Sequence, residues 1–150
     1  ALVLIDTAAD NDNEETLAGY RMMVDTWVQN GPVPDLTAII ANIIIAEPIE
    51  NAKRIAKWQD YTTEAIKATA NCLLNRDDIT DRLSEIKCPA IIIHGTADTA
   101  ISMDRAEALR AGLVGAGKVV TIEGAAHASN LTHAQLVNPP LLEFLRRVTK

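Results

Sequence analysis

Aromatic residues are scarce, with two Trp, two Tyr and one Phe in 150 residues. Any core must therefore be aliphatic, built from Ile, Leu, Val and Ala. Cysteine is nearly as rare. Cys72 and Cys88 have neither CxxC nor zinc-finger spacing, which argues against a disulfide framework and suits a reducing cytoplasm. Basic charge is also short, with 14 Lys and Arg against 20 Asp and Glu and a net charge of -6. No basic face is dense enough to neutralise phosphates, so a nucleic-acid partner is not expected. The Arg146, Arg147 and Lys150 cluster reads instead as a helix carboxyl end balancing its dipole. No long apolar run is present. Ala1 to Ile5 is far too short to span a membrane, lacks a basic flank and meets Asp6 at once, so it reads as a strand rather than a signal. Repeats and low-complexity segments are absent. With 48% hydrophobic and 23% charged residues, the chain has the composition of an ordinary soluble domain large enough for one core.

What is present is sharply punctuated. Pro89-Ala90-Ile91-Ile92-Ile93-His94-Gly95-Thr96-Ala97-Asp98 is an unbroken apolar run that ends in a His, a Gly turn and a carboxylate. Such a run suits a parallel strand buried on both faces, and ligands in open α/β sheets sit beyond the carboxyl ends of strands. Before it, Ala1 to Ile5 forms a first strand. Asp12-x-x-Glu15 forms a capping box for a helix carrying Leu17, Tyr20, Val24 and Trp27 on one face, stopped at Gly31-Pro32. Asp35 to Ile45 has both strand propensity and a helical period, and its context favours helix. Pro48 opens another helix, and Ile66, Ala70, Leu73 and Leu74 mark a further one. Ile79 to Ile86 reads as a short helix. After Asp98, Ser102 caps a helix with Ala106, Leu109 and Leu113, ended by Gly112, Gly115 and Gly117. Lys118 to Ile122 is a third strand that places His127 in the loop beyond it. Asn138-Pro139 starts an amphipathic closing helix with Leu141, Leu142, Phe144, Leu145 and Val148. Strands alternating with helices imply right-handed crossovers and a parallel sheet, from which Asp98 and His127 emerge side by side.

These residues carry a family resemblance. Leu83-x-x-Ile86-x-Cys88-Pro89-Ala90-Ile91-Ile92-Ile93-His94-Gly95-x-x-Asp98, then Gly124-Ala125-Ala126-His127-x-x-Asn130-Leu131, then Leu141-Leu142-x-Phe144-Leu145 resembles the carboxyl-terminal part of α/β-hydrolases, nearest the enol-lactonase and esterase branch. The resemblance implies a truncated α/β-hydrolase: about three parallel strands in a single domain, with a first strand over 1–9, a helical cap-like region over 10–80 and a strand-helix-strand-helix core over 81–150. It also implies that Asp98 orients a catalytic imidazole and that His127 is the general base. The family's G-x-S-x-G nucleophile elbow is missing, and none of Ser84, Ser102 and Ser129 sits in one.

The missing serine prompts a replacement. His94, Asp98 and His127, with His133 as a further donor, form a candidate Zn²⁺ site whose bound water, with its pKa lowered to about 7, would attack carboxylic, lactone or phosphoric esters. Two other readings stay open: an inactive half-hydrolase awaiting a partner chain, and metal-free activation of water by Asp98 and His127. Taken alone, His94 fits a strand-end hydrogen bond and His133 an exposed loop. Asp6 is placed either to reach the same cleft or to cap its turn. Trp27 and Trp58 read as packing residues of the helical layer, with lining a substrate pocket in a cap as the alternative, Met22 and Met23 as core or interface filling, and both cysteines as small buried hydrophobes. Finally, an apolar first strand at the edge of a small sheet needs a cover, most simply a homodimer formed through that strand.

Overall fold

The computed structural model describes residues 1–149; Lys150 lies outside the described residues. The elements run β1 (Leu2–Ile5), α1 (Glu14–Asn30), α2 (Pro34–Ile44), α3 (Pro48–Trp58), α4 (Thr63–Leu74), a 3₁₀ helix (Thr80–Glu85), β2 (Ala90–Gly95), α5 (Met103–Gly112), β3 (Val120–Ile122), α6 (Ser129–Thr132) and α7 (Ala134–Val148). The three strands form one parallel sheet in the order β1-β2-β3. Leu2 stands opposite Ala90 and Ile5 opposite Ile93, while Ile93 also faces Val120.

β2 is buried along its whole length. Its alternating side chains serve two cores, as strand pleating requires. Ala90 and Ile92 pack with Leu83, Ala106, Leu109 and Leu113, whereas Ile91 and Ile93 pack with Ile122, Val137 and Phe144. The apolar run in the sequence is therefore the strand between α5 on one face and α7 on the other.

The chain divides into two compact units. One holds residues 1–10, 43–45 and 78–150, and includes the sheet; the other holds 11–42 and 46–77, the span of α1 to α4 apart from the last turn of α2. The helical unit has its own core of Trp27, Leu36, Ala41 and Trp58, in which the two indoles meet edge to face with centroids 5.6 Å apart. The tryptophans are packing residues, as their spacing suggests.

Several boundaries differ from the sequence reading. α1 is capped by Asn13, whose side chain accepts from Thr16 N at 2.9 Å, while Asp12 faces Arg76 across 3.9 Å; the capping box is not formed. Ser102 occupies the cap of α5 but contributes only its backbone carbonyl, which accepts from Arg105 N. α5 ends at Gly112. Gly115 serves a different contact, since a Cβ there would lie 2.2 Å from the Cys88 carbonyl oxygen. β3 is only three residues long. α7 starts at Ala134 rather than Asn138, so Pro139 and Pro140 lie inside the helix. The carbonyls these prolines cannot reach belong to Gln135 and Leu136, both exposed residues. Leu142 and Leu145 are exposed, and Phe144 alone of the expected stripe is fully buried. Met22 and Cys72 also face solvent; Met23 and Cys88 are half-buried. No helix among the described residues is long and apolar enough to cross a membrane.

Candidate active site

The carboxyl ends of the three strands converge, and backbone bonds sew the loops beyond them together. Thr96 N donates to Ile122 O at 3.0 Å, Ala97 N to Ala125 O at 2.9 Å, and Gly124 N to Thr96 Oγ1 at 2.8 Å. Gly95 is the position that permits this. A Cβ there would lie 2.2 Å from the Ala125 carbonyl oxygen, so the two loops can approach only if residue 95 has no side chain. The carboxylate of Asp98 and the ring of His127 are thereby brought face to face.

His127 Nδ1 lies 3.0 Å from Asp98 Oδ2, and Asp98 Oδ1 accepts from Ala100 N at 2.8 Å and Ile101 N at 2.9 Å. The Asp98 side chain is fully shielded, while that of His127 is 27% exposed. With Nδ1 engaged, Nε2 has no hydrogen-bond partner among the described residues and is free for a proton in transit. Burial pushes the Asp98 carboxyl up, but the bond from His127 and those from the Ile101 and Ala100 amides outweigh it, and the net direction is downward. The bond to Asp98 raises His127, opposed by partial burial and reinforced by the charges of Asp98 and Asp6. A carboxylate that stays ionised and fixes Nδ1 leaves an imidazole whose far nitrogen can take and return a proton.

Asp6 completes the arrangement and is the residue whose role the sequence left undecided. It ends β1 with φ 48°, and its buried carboxylate accepts from Gly95 N and Ser129 N, both at 2.9 Å. It reaches the same cleft, one of the two expected alternatives, and there bridges the end of β2 to the first residue of α6. An Asp immediately after a first strand was the available signal, but its partners lie 89 and 123 residues away.

His94, fully buried at the end of β2, pairs Nε2 with the Ile101 carbonyl at 3.0 Å, the strand-end bond expected of it. That bond makes Nε2 the donor, leaving Nδ1 as a buried lone pair without a partner. His133 sits between α6 and α7, with Nδ1 2.9 Å from Thr132 Oγ1. It does not join the other donors. Among the described residues, the group with metal-capable atoms mutually within 4.8 Å is Asp6, His94 and Asp98, so Asp6 takes the place the sequence gave to His127 and His133. All four carboxylate oxygens in that group already accept hydrogen bonds. A Zn²⁺ ion would have to displace those donors and find an open coordination position beside a fully buried ring. The donor set does not fit a catalytic metal.

None of Ser84, Ser102 and Ser129 is hydrogen-bonded to His127. Ser129, two residues beyond it, is fully buried with its Oγ unpartnered. A carboxylate and a loop imidazole thus form an acid-base pair to which no serine is hydrogen-bonded among the described residues.

Known proteins of the same fold place this architecture. No family model matches. The chain is 33% identical over 146 residues to a putative non-heme chloroperoxidase of Synechocystis, covering 91% of this chain and 52% of that protein. It is 32% identical over 72 residues to a bifunctional esterase/perhydrolase of Acinetobacter calcoaceticus, covering 48% of this chain and 26% of that protein. Among solved structures, a thermophilic esterase from Thermogutta terrifontis superposes with a TM-score of 0.87 at 23% identity, over 99% of this chain and 56% of that one. The enol-lactonase of Burkholderia xenovorans does so with a TM-score of 0.80 at 22% identity, over 96% and 55%. The chain carries the α/β-hydrolase fold and corresponds to the carboxyl-terminal part of such a protein, without a nucleophile elbow in its 150 residues. It spans about half the length of the chloroperoxidase and of the two solved structures.

Proposed function

We propose that this chain supplies the acid-base half of an ester-hydrolysing site, with His127 as general base and Asp98 as the carboxylate that orients it. The observation that carries this reading is the 3.0 Å bond between His127 Nδ1 and a shielded Asp98, with Nε2 left free. In such a site Nε2 takes the proton from an attacking hydroxyl and later returns it to the leaving alkoxide, while Asp98 stabilises the imidazolium between those steps. The attacking hydroxyl comes from residues outside these 150, because no serine here sits in an elbow or is hydrogen-bonded to the ring. Small carboxylic or lactone esters are the proposed substrates, a choice supported by the esterases and enol-lactonase to which the chain is similar. Zinc and phosphoric esters belonged to a metal-water route, which the donor set does not support. A reducing cytoplasm is the proposed compartment, supported by two free cysteines.

β1 pairs with β2 on one side only. We propose that its other edge takes a further strand, and that in the isolated chain this strand is β1 of a second copy, forming a homodimer. A second copy covers the edge but brings no elbow serine, so activity needs a chain segment of different sequence. The test is turnover of 4-nitrophenyl acetate by the chain alone and when co-expressed with the part of the Synechocystis relative that it does not match. Alone, the chain should stay near the rate of free imidazole. The complemented form should show chelator-resistant turnover that falls about 10²–10⁴-fold on His127→Ala. Turnover indifferent to both His127→Ala and Asp98→Asn would sink the assignment.

A further inference from the structure

Asp6 is a buried charge that the acid-base pair does not itself require. Its place at the end of β1, its left-handed backbone and its two long-range bonds need a reason. Both carboxylate oxygens are used, Oδ1 by the amide of Gly95 and Oδ2 by the amide of Ser129. Gly95 is the close-approach residue at the end of β2, and Ser129 opens α6 two residues after His127. One side chain thus fastens the β2 end and the His127 loop to β1. Its own amide donates to Ile93 O at 3.0 Å, which anchors the clamp to the sheet. Two N–H donors converging on two oxygens require a group that accepts at both positions. Only a carboxylate does so; an amide of the same shape would turn an NH₂ towards one donor.

We propose that Asp6 is a positioning residue for His127, holding the loop that carries the base and adding a negative charge to its surroundings. The inference rests on the reading of His127 as base. The charged and titratable groups around the ring are Asp98, on the loop after β2, and Asp6, on β1. His94 lies between the two carboxylates, with Nδ1 3.9 Å from Asp6 and Nε2 3.6 Å from Asp98. The Asp6 charge is also among those that favour protonated His127.

The experiment is Asp6→Asn, read by NMR rather than by turnover, so that it stays informative if the catalytic reading fails. The imidazole resonances of His127 are followed against pH, and the exchange rate of the Ser129 amide is measured at fixed pH. The expected result is a lower His127 midpoint together with Ser129 exchange faster by about tenfold or more, the loss of roughly one hydrogen bond to a charged acceptor. A merely structural role would leave the midpoint in place, so an unchanged midpoint or an unchanged exchange rate overturns the proposal. If Asp6→Asn does not fold, the unsubstituted chain decides. A scalar coupling across the bond from the Ser129 amide nitrogen to the Asp6 carboxyl carbon supports the clamp, and its absence overturns it. Loss of turnover on His127→Ala is a separate result, which bears on the base and not on the clamp.

Discussion

Asp98 and His127 make opposite demands on pH. His127 is raised in the folded chain, so its pairing contributes stability that is fully present below the unfolded value of about 6.5 and is lost as pH rises through the higher folded value. Asp98 is lowered, so its contribution is present above the unfolded value of about 3.9 and is lost as pH falls through the folded one. A general base must be unprotonated to act, so turnover of the complemented form should climb over the same window above 6.5 in which the His127 contribution declines. Urea denaturation across pH checks the first part: Asp98→Asn should flatten both slopes, and a variant with the parent's pH dependence would contradict the pairing. The two residues were legible in the sequence because each lies in the loop just beyond an apolar strand, at the sheet's carboxyl edge. Asp6 was half-legible. Its position could be read, but two amides at separations of 89 and 123 residues have no signature in a linear pattern.

β1 shows what an element can and cannot announce. Leu2 N donates to Pro89 O at 2.8 Å and Asp6 N to Ile93 O at 3.0 Å, so the even-numbered amides face β2. By strand alternation, those of Val3 and Ile5 face the open edge. Val3→Pro removes an edge donor without touching the β2 ladder, and proline is compatible with an edge strand. Sedimentation of this variant should show monomer where the parent chain self-associates, with an unchanged circular dichroism spectrum; an intact dimer would place the contact elsewhere. The strand itself was evident from five apolar residues followed by Asp6. α2, with its run of isoleucines, was legible only through context, because Pro34 and the flanking helices decide between two periods. α7 was misplaced by four residues, since a proline pair reads locally as a helix start. The helix here accommodates it where the residues deprived of donors, Gln135 and Leu136, are exposed.

At the scale of the molecule, the tryptophans provide a spectroscopic handle. Trp27 and Trp58 both belong to the helical unit, and the unit holding the sheet has neither. Trp27→Ala opens a cavity against Leu36, Ala41 and Trp58 and should cost about 3–5 kcal/mol in the transition that Trp58 fluorescence reports. The bonded Nδ1 proton of His127 should persist in the folded variant; its disappearance would mean that the site depends on the helical core. The sequence by itself determined the alternation of strands and helices, the doubly buried β2, the aliphatic core and the order in which Asp98 and His127 appear. Each of these follows from local periodicity or from a residue's place at an element's end. Only the tertiary structure decided that the metal donors do not assemble as the histidines suggested, that Asp6 ties the end of β2 to the start of α6, and that Gly95 must lack a side chain. Those facts depend on distances between segments far apart in the chain, and such distances are set by packing.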